Sequence, residues 1–181
     1  LYTGNGGTQS ITNDGNSDLQ PDLIWIKSRS EGEQHSWTDV LRGTDSQLHS
    51  EGTNAQSTAT NSVTAFGSDG FTVGTADNVN YNGSSLVSWN FKKQTGVFDI
   101  QTWTGNGVAG REIPHNLGCA VGAMFIKRTD DSKYWPVYHR STTATHFLRL
   151  NSTDAAQDST IPFGDVEPTS TVFTVSGDEV V

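Results

Sequence analysis

Along the chain, apolar residues come in short runs that alternate with polar ones. Val87, Trp89 and Phe91 alternate with Ser88 and Asn90; Phe98 and Ile100 alternate with Asp99 and Gln101; Phe71 and Val73 flank Thr72. A period of two puts successive side chains on opposite faces of a strand, so each segment predicts a strand with one buried and one wet face. Leu23 to Ile26 is continuously apolar, which predicts a strand covered on both faces. Asn-Gly or Asp-Gly pairs punctuate the runs at Asn5-Gly6, Asp14-Gly15, Asp69-Gly70, Asn82-Gly83 and Asn106-Gly107. Such pairs favour type I′ hairpin turns, where both central residues take positive φ. No long stretch repeats apolar residues at helical spacing without a Gly, Pro or Asn interruption. The polar stretch from Ser50 to Asn61 predicts a long loop, or a surface segment that pairs with another copy. Many short strands with frequent turns define an all-β chain of sandwich or jelly-roll type.

The same pattern occurs twice. Tyr2-Thr3-Gly4-Asn5-Gly6 recurs as Trp103-Thr104-Gly105-Asn106-Gly107, and Leu23-Ile24-Trp25-Ile26-Lys27 as Ala123-Met124-Phe125-Ile126-Lys127. Trp37 with Arg42 recurs as Trp135 with Arg140, Ala55-Gln56 as Ala156-Gln157, and Phe71-Thr72-Val73 as Phe173-Thr174-Val175. The order is kept at an offset of about 100 residues, which predicts two tandem β-sandwich or jelly-roll-like repeats, 1–93 and 94–181. The first continues through Leu86 to Phe91, and the second stops before that element. The second repeat is thus expected to lack its last strand, and the first the beginning of its first. The pattern fits a piece of a longer protein, with neighbouring chains as the other source of the missing strands.

Only 33% of the 181 residues are hydrophobic, yet five Trp, eight Phe and four Tyr sit within the apolar runs. Those aromatics can anchor a core, so a folded chain with polar loops is expected rather than disorder. The formal net charge of -9 repels phosphate, and Lys92-Lys93 is an isolated basic pair, so nucleic acid is not an expected partner. The single cysteine, Cys119, excludes an intrachain disulfide and a zinc site built on several thiolates. No apolar run is long enough to span a bilayer, and the first residues do not resemble a signal peptide, so membrane insertion is not expected. Asn82-Gly83-Ser84 and Asn151-Ser152-Thr153 match the glycosylation pattern and are expected to be polar turns.

No constellation points to catalysis. Thr-Gly-Asn-Gly lacks the spacing of a phosphate loop and occurs twice, which marks a turn. His35, His49, His115, His139 and His146 show no metal-ligand spacing, and Leu41 stands where the second copy has His139. Asp22, Asp39, Asp130 and Asp131 are expected at loop tips rather than paired across a glycosidase cleft. No calcium-loop pattern and no G-x-S-x-G is present. No cofactor or metal is expected, and no ligand-binding residue is assigned. Trp25, Trp37, Trp89, Trp103 and Trp135 are either core anchors or platforms for sugar rings. Aromatics matched in both copies favour the core.

Nearly the whole chain resembles tandem modules in virion proteins of tailed phages, of the marine and cyanophage type. The resemblance lies in Leu1 to Ile11, Pro21-Asp22-Leu23-Ile24-Trp25-Ile26-Lys27-Ser28-Arg29-Ser30, Val40-Leu41-Arg42-Gly43 and Ser68-Asp69-Gly70-Phe71. It continues in Trp135-Pro136-Val137-Tyr138-His139 and in Pro168 to Val175. Arg111-Glu112-Ile113-Pro114 departs from the usual pattern. The resemblance implies a non-enzymatic β-sandwich unit at the surface of a virion, most readily a tail-fibre or host-adhesion component. A capsid decoration protein is the alternative, and a jelly-roll polysaccharide-degrading enzyme a distant third. It also implies homo-oligomers, other virion proteins as partners, and a host surface glycan as a candidate ligand.

Overall fold

The computed structural model describes all residues, 1–181. The chain is nearly all β, in several antiparallel sheets. Its packing divides it into two compact units. Unit 1 comprises 1–50 and 56–92; unit 2 comprises 93–181 together with 51–55.

In unit 1, β1 (Tyr2–Thr3), β9 (Ser85–Phe91), β3 (Leu23–Ser28) and β4 (Ser36–Asp39) form one sheet in that order. A second sheet is ordered β2 (Gln9–Thr12), β8 (Gly70–Val73), β7 (Val63–Gly67). The small hairpin of β5 (Ser46–Gln47) and β6 (Ser57–Thr58) follows β4, and a short helix, α1 (Asp77–Asn80), precedes β9. The core joins the two sheets in a sandwich-like arrangement. Ile24, Ile26 and Leu86 come from the first sheet and Val63, Phe71 and Val73 from the second, with Val79 of α1 closing one end. The continuously apolar β3 is central in its sheet, paired with β4 on one edge and β9 on the other, but only its Ile24–Ile26 face meets the core, so it is not covered on both faces as expected.

Unit 2 pairs β10 (Arg111–Pro114) with β15 (Val172–Val175) and arranges β11 (Ala123–Phe125), β12 (Pro136–His139), β13 (His146–Arg149) and β14 (Gln157–Asp158) as a meander. Ile113, Ile126, Tyr138, Phe147, Phe163 and Phe173 dominate its core. Several of its pairings parallel pairings of unit 1, about 100 residues further along. Leu23 faces Asp39 and Ala123 faces His139; Gln47 faces Ser57 and Phe147 faces Gln157. Ile11 opposes Phe71, and Ile113 opposes Phe173.

Three expectations are corrected. Trp37 faces Trp25 and Val137 faces Phe125, so in strand register Trp37 corresponds to Val137, not Trp135. Phe98 to Gln101 is not a strand. Gly96 takes a positive φ and Gln94 bridges Phe98, because Asp99 ties the segment into a turn instead. The Asn-Gly and Asp-Gly pairs do not form type I′ turns, since their Asn and Asp residues keep negative φ. The β7–β8 hairpin turns instead through Ser68-Asp69, with Gly67 facing Gly70 and φ of 123° at Gly70. A Cβ on Gly70 would collide with the carbonyl oxygen of Ile11 on the neighbouring strand.

Candidate functional site

The expected buried face of β9 is turned outward. Leu86 is fully buried, whereas Trp89 is 44% exposed and Phe91 37%. The period of two was right, but it cannot say which side meets the core. On the same side of the sheet β3 presents Trp25 and β4 presents Trp37, because Trp25 lies opposite both Trp37 and Trp89. None of the three tryptophans belongs to the core cluster of unit 1. Their rings form a cross-strand row, 4.8 Å from Trp25 to Trp37 and 5.0 Å from Trp25 to Trp89, tilted by 48° and 47°. The Trp25 indole N–H donates to Nδ1 of His35 at 2.7 Å, which orients the middle ring. Aromatic pairs of this kind contribute about 0.5–1.5 kcal/mol each beyond the area they bury. The row thus runs from the buried Trp37 to the accessible face of Trp89.

The other two tryptophans behave differently. Trp103 packs edge-on to Phe173 at 5.5 Å, as Tyr2 does to Phe71 at 6.3 Å. Trp135 is 2% exposed and donates its indole N–H to the carbonyl of Gly52 at 3.1 Å. The expectation of core anchors therefore holds for these two and for the buried Trp37, and fails for Trp89. A signal was present: with Ile24 and Ile26 turned inward, Trp25 between them had to lie on the other face.

The remaining candidates are structural ties. Asn5 and Asn106 each accept the amide two residues on, from Gly7 at 2.8 Å and Val108 at 3.1 Å, so Thr-Gly-Asn-Gly is a turn. Asp39 is buried and binds the side chain of Arg42 at 2.6 Å while accepting the amides of Leu41 and Arg42 at 3.0 Å. Asp130 is bound by Arg128, whose guanidinium holds its carboxyl below the ordinary value. His49 bonds the carbonyl of His35 at 2.7 Å, His139 accepts Ser141 N–H at 3.2 Å, and His146 bonds Thr145 at 2.9 Å. His115 stacks on Phe173. No three His, Cys, Asp or Glu side chains are grouped to hold a metal ion. Cys119 is exposed.

Two shallow depressions are present. One is lined by Lys93, Gln94, Thr95, Phe98, Asp99 and Asn116. Asp99 there is already committed. Burial pushes its carboxyl up, but donation from Asn116, Gln101 and Lys93 outweighs this and brings it down to about 2. The other lies at Tyr2, Arg29 and Leu86. What the surface offers chemically is an apolar, polarisable aromatic face at Trp89, suited to stacking on the C–H face of a ring.

These features define an all-β protein built of two sandwich-like units. Its sequence matches the family described as a domain of unknown function, DUF7483, over residues 1–181, and the chain belongs to that family. Neither the curated proteins nor the solved structures contain a match to it. No helix is long and apolar enough to cross a membrane.

Proposed function

We propose that the chain is a non-catalytic structural module of a phage virion, a tail-fibre or host-adhesion component in which Trp89 meets a surface glycan. The observation that carries the adhesive role is the outward aromatic row, whose terminal ring is 44% exposed. Sugar rings carry an apolar face that stacks on indole, and their binding needs no deep pocket. The assignment to a phage particle rests on the resemblance of the sequence motifs.

The two units are copies of one repeat in this proposal. Besides the shared strand register, the ammonium of Lys27 donates to the carbonyls of Ser28 and Glu31, and that of Lys127 to those of Arg128 and Asp131. A side chain with matching partners in each unit supports a common ancestor more strongly than composition does. Repetition suits a multi-copy fibre that assembles with itself and with other virion proteins.

The test has two parts. Labelled protein is located in intact particles by electron microscopy, and the isolated chain is screened against host-surface glycans. Label on fibres or tail tip, with binding that Trp89→Ala weakens about tenfold while circular dichroism shows the fold retained, is the expected result. Label over the shell replaces the fibre role with capsid decoration. Glycan cleavage during incubation would overturn the non-catalytic assignment.

A further inference from the structure

Asn-Gly occurs three times, at Asn5-Gly6, Asn82-Gly83 and Asn106-Gly107, and all three asparagines are exposed. In such a pair the glycine nitrogen can attack the asparagine carboxamide carbon, because no side chain on the following residue crowds the approach. The attack needs that nitrogen to lose its proton and to turn toward Cγ, so a hydrogen bond from its N–H opposes it. The structure treats the three pairs differently. Gly6 N–H donates to the carbonyl of Asn80 at 2.9 Å, and Asn80 Nδ2 also donates to Asn5 Oδ1 at 3.2 Å. Gly83 N–H donates to the carbonyl of Gly4 at 2.8 Å. Gly107 N–H makes no hydrogen bond; residues 104–110 are all exposed, and a Cβ on Gly107 would meet nothing within 4 Å. The carboxamide beside it is held ready. Asn106 Oδ1 accepts the Val108 N–H at 3.1 Å, which folds the carboxamide back over its own main chain. The same N–H stabilises the negative charge that gathers on Oδ1 as Cγ becomes tetrahedral.

We propose that Asn106 is a modification site, at which the native chain forms a succinimide that opens to aspartate or isoaspartate, with water as the co-reactant. The Gly107 nitrogen gives its proton to solvent base and bonds to Cγ of Asn106. The bond from Cγ to the carboxamide nitrogen breaks, and ammonia leaves. Water then opens the ring: attack at Cγ yields aspartate, and attack at the main-chain carbonyl of Asn106 yields isoaspartate, whose backbone runs through Cβ and Cγ. Nothing is oxidised or reduced. Both products add a negative charge, and isoaspartate lengthens the backbone by one atom in a loop that packs closely. A Cβ on Gly177 would lie 2.6 Å from the carbonyl oxygen of Gly107 and 2.9 Å from the Ala109 nitrogen. Isoaspartate therefore disturbs this contact and loosens residues 176–181, where Val180 is buried. The site stands whether or not the chain belongs to a virion.

The full chain is incubated in mildly alkaline buffer, and its peptides are mapped by mass spectrometry with enzymatic methylation to count isoaspartate. The same incubation in urea gives the rate of each pair in the unfolded chain, where all three glycine amides are released. In the native chain Asn106 is expected to react first, with Asn5 and Asn82 at least about fivefold slower, the factor set by breaking one net hydrogen bond. In urea the spread is expected to vanish. Hydrogen exchange within 176–181 is expected to rise in the modified form. Asn106→Ser keeps an acceptor for the Val108 N–H and is expected to remove the reaction there while leaving the other two pairs at their native rates. Equal native rates at the three pairs, faster reaction at Asn5 or Asn82, or a native chain that stays unmodified while the unfolded one reacts overturns the proposal. The same ranking in urea also overturns it, since local sequence rather than the fold would then select Asn106.

Discussion

Asn80 is the residue on which most of one loop depends. It is fully buried, and its carboxamide oxygen accepts the Asn5 N–H at 2.9 Å and the Gln9 side chain at 2.8 Å. Its amide nitrogen donates to the carbonyls of Gly74 and Gly7. Gly4 is required beside it, because a Cβ there would sit on the carbonyl oxygen of Tyr81. Asn80→Ala leaves several of these groups buried and unbonded, so a loss of about 3 kcal/mol is expected from urea unfolding. Asn80→Asp should cost at least as much at neutral pH, since an ionised carboxylate would be buried against the carbonyls of Gly74 and Gly7, and less at low pH, where the protonated carboxyl can donate. The importance of Thr3-Gly4-Asn5-Gly6 was legible in the sequence as a repeated turn. Its partner was not, because a lone Asn 75 residues further along carries no local signal. Gln47 was hidden in the same way. Its buried side chain binds Ser36 and Ser62, whereas Phe147 fills the matching register position in unit 2.

At the scale of the element, period and pairing were readable and facing was not. β3, β8 and β9 lie where the apolar alternation put them. The side of β9 was misjudged because alternation is symmetric, and only the cross-strand pairing with β3 breaks the symmetry. The expected strand at Phe98 fails because hydrogen bonds to Asp99 compete with extension. The amide of Asn116 donates to it at 2.8 Å and Gln101 at 2.6 Å, and Lys93 pairs with it at 3.0 Å. The folded carboxyl, at about 2, lies below the ordinary 3.8. Its contribution to stability is therefore full above the unfolded value and is lost as pH falls through about 2. Urea midpoints of the native chain and of Asp99→Asn are expected to differ at neutral pH and to converge toward pH 2. Equal acid sensitivity of the two proteins would show that the turn is held by other groups.

Across the whole molecule, the backbone does not finish one unit before beginning the other. Glu51 to Ala55 packs as part of unit 2, while the residues on either side belong to unit 1. Gly52 supplies the acceptor for the Trp135 indole N–H. Trp135→Phe removes that donor and keeps the ring, so faster proteolysis within 51–55 at nearly unchanged global stability is expected. Unchanged cleavage would mean that the segment is fixed by other contacts. The offset of about 100 residues was visible in the sequence, but this excursion was not. The polar stretch from Ser50 to Asn61 has no apolar periodicity to mark where it packs.

That excursion bears on how such a chain can be inherited. Modules joined by one linker can be copied, shortened or transplanted with a single break. Here the backbone passes between the units at 50/51, 55/56 and 92/93. A gene fragment ending after Lys92 carries Gly52 without its tryptophan, and one beginning at Lys93 carries Trp135 without that acceptor. A break at 92/93 therefore divides unit 2 in sequence, and a transfer that keeps its packing intact has to carry residues 51–55 along with 93–181.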